Sequence, residues 1–391
     1  MPVGIYISVP FCRSKCSYCN FASGVFAREM AAGYVERVCA DIRRAPQTAS
    51  AMGGILERKA DSVYLGGGTP TTLAPGQLER IFAVLCQEFE IDPAAEITVE
   101  CAPGSLAPEA LQEALVRAGV NRVSLGVQSF VDAEAAAVGR LHTRAAVLDD
   151  IARLRAAGIT NINVDLITGL PHQTAASWHT SLDETIATGV PHVSIYMLEV
   201  DEDSRLGREL IAGGTRYHAH FVPDEDAVAD FYEQACARLG AAGIAQYEIS
   251  NFARPGMESR HNLKYWTRQP YLGFGLDAHS MLEGPDGAVR FSTPDSLEEF
   301  MAGAPLSRTP VSRRDALEET FFLGLRLTRG VDLKAVSARF GVDALRAFGD
   351  TIRELESSGM IECEGDVLRL TPAGRLLSNE VFQRFIGVPA P

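Results

Sequence analysis

Short β-type runs and amphipathic helical patterns alternate along the first half of the chain, and this alternation restricts the fold more than any other feature. Runs rich in β-branched and aromatic residues predict strands at residues 5–9, 62–65, 97–99, 122–127, 162–167 and 193–198. Apolar residues at helical spacing predict helices near residues 30–44, 76–89, 108–118, 144–157 and 176–188. Strands separated by helices favour parallel pairing. The sequence therefore predicts an α/β fold, either a sheet or an open α/β barrel.

Polar or glycine-rich residues stand close to the end of each predicted strand. Active sites of α/β barrels lie at the carboxyl ends of the strands, because those ends meet at one face. We therefore expect these residues to surround one site. In chain order they are a loop with three cysteines, residues 66–69, Glu100, Gln128, Asp165 within the fifth strand, and Glu199.

Three of the eight cysteines, Cys12, Cys16 and Cys19, fall within eight residues, and the other five are scattered. A structural zinc ion needs four protein ligands, and no further histidine or cysteine is near enough in sequence to complete the set. A [4Fe–4S] cluster bound by three thiolates leaves one iron open for an outside ligand. The spacing therefore favours an iron–sulfur cluster.

The cysteine pattern, C-x-x-x-C-x-x-C with Tyr18 before the last cysteine, resembles that of the radical S-adenosylmethionine (SAM) superfamily. Further motifs extend the resemblance over residues 3–380: YISVPFC, LGGGTPT, LGVQSF, NVDLITGLP, YEISNFARPG and HNLKYW. Together they resemble the branch that contains oxygen-independent coproporphyrinogen III oxidase and the haem chaperone HemW family. The resemblance implies a partial (β/α)6 radical SAM barrel and a [4Fe–4S] cluster whose open iron is chelated by SAM.

The resemblance also implies which residues contact these cofactors. Cys12, Cys16 and Cys19 would hold the cluster. The other implied contacts are Gly67, Gly68 and Thr69 at the SAM amino end, Glu100 at its ribose, Gln128, Arg140 and Asp165 at a second SAM or the substrate side, and Tyr6, Tyr18 and Phe21 near the cluster. Glycines allow close approach to a ligand and offer unpaired backbone groups. Without the resemblance, a glycine triplet more often marks a turn.

Haem is the third ligand that the resemblance implies. His261 in HNLKYW is the candidate axial ligand, because imidazole commonly ligates haem iron, and His279 is a weaker candidate. Most single histidines are not ligands, so a core histidine is the competing interpretation. Tyr265 and Trp266 either stack on the porphyrin or form a core pair.

Phe21 separates two hypotheses about function. The oxidase pattern has a fourth cysteine at this position, and it also has an N-terminal extension that this sequence lacks before Cys12. The first hypothesis is therefore a HemW-like haem chaperone that binds a [4Fe–4S] cluster and SAM and transfers haem to an acceptor haemoprotein, with a membrane respiratory enzyme as the implied recipient. The second is a radical SAM enzyme, an oxidase or a methyltransferase, that makes a 5′-deoxyadenosyl radical. Enzymatic activity stays open, and no catalytic residue is assigned.

The pattern of elements changes after residue 215. A helix near residues 225–241, a strand at 244–250 and a Gly-, Pro- and aromatic-rich stretch follow, and residues 300–313 are typical of a linker. The remaining helices and two short strands resemble a winged-helix domain. The predicted division is a barrel over residues 1–215, an accessory segment over 216–300 and a winged-helix-like α+β domain over 301–391.

Charge and hydropathy restrict partners and location. The net charge of −14, with 12 basic and 12 acidic residues from position 301 onward, argues against binding nucleic acid, and so against a zinc-containing DNA-binding module. Apolar runs are shorter than the ~18 residues that span a membrane, and no signal peptide is predicted. We therefore expect a cytoplasmic protein. Whether two copies form a homodimer stays open.

Overall fold

A mostly parallel sheet of twelve strands organises the structure, a computed structural model that describes residues 1–202, 204–285 and 287–387. Its six central strands, β1 to β6, lie side by side in chain order and run parallel. Their bounds are β1 Val3–Val9, β2 Lys59–Gly67, β3 Glu90–Cys101, β4 Arg122–Gln128, β5 Asn161–Thr168 and β6 His192–Met197.

Each of the six predicted strands overlaps one of these observed strands. The central strands are largely buried on both faces, as in β1, where Val3, Ile5, Ile7 and Val9 on one face are at most 1% exposed and Gly4 and Ser8 on the other face are buried. Burial on both faces is typical of parallel strands covered by crossover helices. The predicted α/β fold class is confirmed.

Helices connect and cover the central strands. Thr143 and Thr174 start α6 and α7, because each hydroxyl accepts a hydrogen bond from a backbone N–H in the first turn. The helices are α1 Met30–Arg43, α2 Ala45–Met52, α3 Pro75–Glu88, α4 Glu109–Arg117, α5 Asp132–Ala137, α6 Arg144–Ala156 and α7 Ala175–Thr188. In the described part of the chain, no helix is both long enough and apolar enough to cross a membrane.

The next segment extends the sheet at both edges. Two strands continue it beyond β6, and four continue it beyond β1, where the first of the four is parallel to β1. The elements are α8 Arg205–Ala212, α9 Glu225–Ala241, β7 Ala245–Gln246, β8 Asn251–Ala253, α10 Arg260–Trp266, β9 Tyr271–Phe274, β10 His279–Gly284, β11 Gly287–Ser292, α11 Leu297–Ala302 and β12 Ser307–Val311.

Two predictions in this segment are wrong. The single strand predicted at residues 244–250 is instead the pair β7 and β8 around a turn. The linker predicted at residues 300–313 contains β12. This strand is antiparallel to β11, with Ser307 paired with Ser292 at one end and Val311 paired with Ala288 at the other. Only Val311 of β12 is buried, and Pro310 is tolerated because the strand lies at the sheet edge. Because an exposed edge strand has a polar composition like that of a loop, the sequence predicted a linker here.

The C-terminal part forms a small antiparallel sheet with helices, as predicted for an α+β arrangement. Its core includes Phe321, Phe348 and Phe385, with ring centroids 4.4 to 5.6 Å apart. The strand order is β13-β15-β14. Its elements are α12 Arg313–Gly324, β13 Val331–Asp332, α13 Leu333–Phe340, α14 Ala344–Ser357, β14 Ile361–Glu364, β15 Val367–Leu370, α15 Pro372–Leu376 and α16 Ser378–Gln383. The three-part division of the chain stays a prediction.

Candidate functional site

The predicted site residues lie at the carboxyl ends of neighbouring parallel strands. Val9 at the end of β1 is paired with Gly67 of β2. Gln128 at the end of β4 is paired with Leu166 of β5, the residue after Asp165. The cysteine loop, the glycine segment and the polar strand ends therefore share one edge of the sheet.

The cysteine loop is closed by its own backbone. The Cys12 N–H donates to Gly24 O at 2.9 Å, and the Gly24 N–H donates to Pro10 O at 2.9 Å. Inside the loop, the Lys15 ammonium donates to the carbonyl oxygens of Phe21 and Ser23 at 3.2 and 2.9 Å. These hydrogen bonds within the loop give it a defined shape.

All three loop cysteines are free thiols, with Cys16 buried and Cys12 and Cys19 half-buried. Burial raises the pKa of Cys12, and negative charge on Cys19 and Cys16 raises it further. The three thiol groups are therefore close enough for the charge of one to affect the pKa of another. Within residues 1–202, 204–285 and 287–387, however, no three His, Cys, Asp or Glu side chains are already gathered around one point as metal ligands. Three soft thiolates in one half-buried loop suit an iron–sulfur cluster.

Arg140 joins the cysteine loop to β4. Its Nη1 lies 3.6 Å from Cys16 Sγ, and its Nη2 donates to Gly126 O. The Nε atom is buried without a hydrogen-bond partner. The guanidinium is thus directed into the site, next to a thiol, and retains one unused donor.

The glycine segment packs directly on the start of the cysteine loop. Gly67 has φ +97°, and a Cβ atom on Gly68 would lie 2.7 Å from Val9 O. The N–H groups of Gly68 and Thr69 donate to Val9 O and Phe11 O, both at 2.9 Å. The expectation that these amides are unpaired is therefore wrong, because they hold the loop in place.

Glu100 is held within the site and is not a solvated strand end. Tyr64 Oη donates to its Oε1 at 2.8 Å, and the Gly67 N–H also donates to the carboxylate. Burial raises the pKa of Glu100 to about 7, and the negative charge of Asp165 adds to this effect. The carboxyl group can therefore gain or lose a proton near neutral pH.

Gln128 is strained at the end of β4. It is a non-glycine residue with φ +70°, and the β4–β5 register shifts beside it. Its Oε1 is buried without a hydrogen-bond partner. Residues held in this part of φ/ψ space concentrate at ligand sites, so an unpaired acceptor and a strained backbone coincide at a position that the sequence predicted.

Asp165 takes part in a hydrogen-bond network inside the sheet. Ser124 Oγ donates to Oδ2 at 2.9 Å, and Asn163 Nδ2 donates to Oδ1 at 2.6 Å. Burial raises the pKa of Asp165, and hydrogen bonds from Ser194, Ser124 and Asn163 partly offset this. Its carboxylate therefore has partners within the chain, in contrast to Gln128.

The three predicted aromatic residues differ in their surroundings. Tyr6 stacks on Tyr64 with ring centroids 6.1 Å apart, and burial raises the pKa of its hydroxyl well above the usual value. Tyr18 is half-buried against a small apolar cluster that contains Val138. Phe21 is 64% exposed. Tyr6 and Tyr18 are thus neutral packing groups, and Phe21 presents an apolar ring to solvent.

His261 is buried and hydrogen-bonded through both ring nitrogens. Nδ1 lies 2.9 Å from Ser62 Oγ, Nε2 lies 2.8 Å from Tyr265 Oη, and the residue is 1% exposed. Burial lowers the pKa of His261 to about 3, helped by the charges of Lys264 and Arg122. Ligation of haem iron by His261 would have to break one of these hydrogen bonds. Its role as haem ligand stays a prediction.

Sequence reasoning missed two residues that act on the carboxylates of the site. Tyr64 donates to Glu100, and its position two residues after Ser62 on β2 places both on one face. Arg122 is 2% exposed with an unpaired Nε, and its charge lowers the pKa of both Glu100 and Asp165. The arginine that begins the strand RVSLGV is the signal that could have pointed to this buried cation.

Comparison with known families assigns a class to this fold and site. The model described as the radical SAM superfamily matches residues 6–184, and the model described as the HemN C-terminal domain matches residues 311–377. The match begins within β1 and includes the whole cysteine loop. The chain is therefore a radical SAM protein.

Comparison with individual proteins narrows the class. Heme chaperone HemW of Bacillus subtilis is 34% identical over 386 residues, covering 98% of each chain. Heme chaperone HemW of Lactococcus lactis subsp. lactis is 31% identical over 98% of this chain and 97% of that protein, and that of Escherichia coli K12 is 30% identical over 98% of each. The chain belongs to the HemW family.

A solved structure shares the fold. Coproporphyrinogen III oxidase (HemN) from Escherichia coli, described as a radical SAM enzyme, superposes with a TM-score of 0.84 over 99% of this chain and 90% of that one. Its sequence identity is 23%, so the similarity concerns the fold alone.

Proposed function

We propose that the chain is a haem chaperone that holds a [4Fe–4S] cluster through Cys12, Cys16 and Cys19 and transfers haem to acceptor haemoproteins. The observation that carries the proposal is the closed loop with three free thiols at the carboxyl end of β1, in a chain of the HemW family. Arg140 beside Cys16 supplies positive charge where thiolates accumulate negative charge.

SAM is the second proposed ligand, and when bound its amino and carboxylate groups would complete the ligation of the open iron. Gln128 Oε1 and Arg140 Nε are buried polar atoms without a hydrogen-bond partner, and they favour a polar ligand at this edge. Glu100 and Asp165 would orient it by accepting hydrogen bonds, with Tyr6 and Tyr18 excluding water. Gly67, Gly68 and Thr69 would act mainly by positioning the loop, since two of their amides are engaged there.

The proposal includes partners and location. Haem is the cargo, the recipient is a haemoprotein, and a membrane respiratory enzyme is the proposed recipient class. We propose a cytoplasmic location, and whether two copies pair as a homodimer stays open. The barrel, residues 1–215, would carry the cluster, and residues 216–300 and 301–391 would contribute to cargo and acceptor binding.

An anaerobic haem titration tests the function. Full-length protein is reconstituted with iron and sulfide and titrated with hemin, the ferric form of haem. A saturable change in the Soret region is expected at about one hemin per chain. Absence of any Soret change would reject the haem chaperone.

The same sample also tests the second hypothesis, that the chain is a radical SAM enzyme. With SAM and a strong reductant present, an oxidase or methyltransferase would form 5′-deoxyadenosine together with a decarboxylated or methylated product. Phe21 in the place of a fourth cysteine favours the chaperone. We therefore expect haem binding without such a product.

A further inference from the structure

An open cavity of about 280 Å³ lies beside the cysteine loop and shares Tyr6, Phe21 and Gly67 with the site described above, whereas the side of the cavity formed by residues 265–279 has no role in that site. The cavity lies where β9 pairs in parallel with β1. Gly4 is the partner of Tyr271 at the start of this pairing, and Ile7 is the partner of Phe274 at its end. This pairing brings the turn after β9 to the same edge of the sheet as the cysteines. The lining includes Tyr6, Phe21, Tyr265, Leu276, Asp277 and His279.

The walls of the cavity suit a flat apolar ligand. Tyr6, Tyr265 and Phe21 present three aromatic rings, and Leu276 adds an aliphatic side chain. Phe21 is 64% exposed, so its ring stands at the mouth of the cavity with most of its apolar surface in water. A ligand that covered this ring would remove apolar surface from water, which is favourable.

One side chain in the lining is a potential iron ligand. The His279 side chain is 64% exposed, and its Nε2 lies 3.6 Å from Asp277 Oδ1. Asp277 has φ +51°, a conformation that aspartate tolerates better than most residues, and its N–H donates to Pro294 O at 2.9 Å. The carboxylate therefore lies beside the imidazole, and if the present 3.6 Å contact shortened to a hydrogen bond it would orient the ring as an iron ligand.

His279 and His261 differ in their availability. Both ring nitrogens of His261 have partners at 2.8 and 2.9 Å within the core. The His279 ring is mostly in solvent and makes one contact, at 3.6 Å, which a turn of the ring can change. Iron ligation therefore costs no core hydrogen bond at His279, whereas it costs one at His261.

We infer that haem binds in this cavity with His279 as an axial ligand, Asp277 as its orienting carboxylate and Phe21 against the macrocycle. The inference rests on the proposed function, because it assigns a site to the haem that a chaperone must carry. No lysine or arginine among the described residues lines the cavity, so the propionates would point to water. At about 280 Å³ the cavity is small for a ligand site, so part of the haem stays accessible to an acceptor.

Hemin titration of the cluster-reconstituted full chain tests the site. His279→Ala is expected to weaken hemin binding at least tenfold and to remove the spectral signature of imidazole ligation. Imidazole added to His279→Gly is expected to restore that signature. The matched control is His179→Ala, an exposed histidine on α7 that should bind hemin like the unmodified chain.

A second pair of variants tests the aromatic contact. Phe21→Ser is expected to weaken hemin binding roughly tenfold, the loss of about 1.4 kcal/mol of apolar contact, and bound iron is measured on the same sample so that hemin affinity is compared per cluster. Val25→Ser is the control, because Val25 is also 64% exposed and is outside the cavity lining.

The outcomes separate the site from the function. If His279→Ala and Phe21→Ser bind hemin with unchanged affinity and spectrum while His261→Ala loses the imidazole signature, the site is wrong and the haem chaperone stands. If the unmodified chain binds no hemin, both proposals are wrong.

Discussion

Glu100 is a predicted site residue whose buried environment brings its pKa close to neutral pH. Its pKa of about 7 in the folded chain lies above the value near 4.5 expected in the unfolded chain. Between these values the folded state binds a proton that the unfolded state does not. The free energy of unfolding therefore falls as the pH rises from about 4.5 to about 7, by on the order of 3 kcal/mol at most.

Replacing the carboxyl group should remove this pH dependence. We expect Glu100→Gln to flatten the change in unfolding free energy over this range, measured by urea denaturation of cluster-free protein at several pH values. Glu233→Gln, at an exposed position of α9, should keep the slope of the unmodified chain. Equal slopes for the two variants would contradict the assignment of a raised pKa to Glu100.

The three loop cysteines give a second prediction at this scale. Cys12→Ala, Cys16→Ala and Cys19→Ala should each lower bound iron from about four atoms per chain to below one, because each removes one of three thiolate ligands. Iron analysis and visible absorption after anaerobic reconstitution provide the measurement. Cys86→Ala, at an exposed cysteine outside the loop, should retain the iron. A cluster that survives in all three loop variants would refute the metal assignment.

Residue-level prediction from sequence succeeds where chemistry is concentrated in short motifs. The cysteine spacing and the positions of Glu100 and Gln128 at strand ends are visible in the sequence, and the structure places these residues at one edge of the sheet, with Asp165 inside β5. Arg122 was not predicted, because burial of a charged side chain depends on neighbours contributed by other strands. The roles of these residues in binding stay predictions.

At the scale of elements, the contact between the glycine segment and the cysteine loop is tight enough to test. Gly68→Ala would place a Cβ atom 2.7 Å from Val9 O and 2.9 Å from the Pro10 carbonyl carbon, so the loop must shift. We expect unfolding free energy to fall by about 1–3 kcal/mol and cluster occupancy to fall with it, measured by denaturation and iron analysis.

Gly76 in α3 offers the matched control. A Cβ atom there would meet nothing within 4 Å, and the position is helical, so Gly76→Ala should be neutral or slightly stabilising. If Gly68→Ala matches it in both stability and iron content, the glycine segment does not position the loop.

Strands were predicted where their residues are buried and were missed where the strand is short or exposed. The central strands contain buried β-branched and leucine residues, as in β1, and a predicted strand overlaps each of the six, although the prediction missed the first seven residues of β3. β9 has four residues, and four of the five residues of β12 are exposed, so neither has a clear pattern of its own. Their pairing is decided by the neighbouring strands, which a local pattern does not contain.

At the scale of the whole molecule, a buried ion-pair cluster ties α12 to the extended sheet. Glu319 on α12 accepts from Arg268 at 2.6 Å and also pairs with Arg290 of β11. Glu319→Ala would leave the buried Arg268 unpaired, so we expect a loss of about 3–5 kcal/mol in unfolding free energy. Glu354→Ala removes the exposed pair with Arg384 and should cost below about 1 kcal/mol. Similar losses in urea denaturation would contradict a structural role for the buried cluster.

The central claim is that this chain holds haem and releases it to an acceptor. The most direct measurement mixes the cluster-reconstituted, hemin-loaded chain with an excess of an apo-haemoprotein that has a distinct Soret maximum, under anaerobic conditions. We predict that absorbance at the acceptor's maximum grows as the donor spectrum declines, with one haem transferred per chain. Failure of the chain to load hemin, or a donor spectrum that stays unchanged beside the acceptor, would contradict the claim.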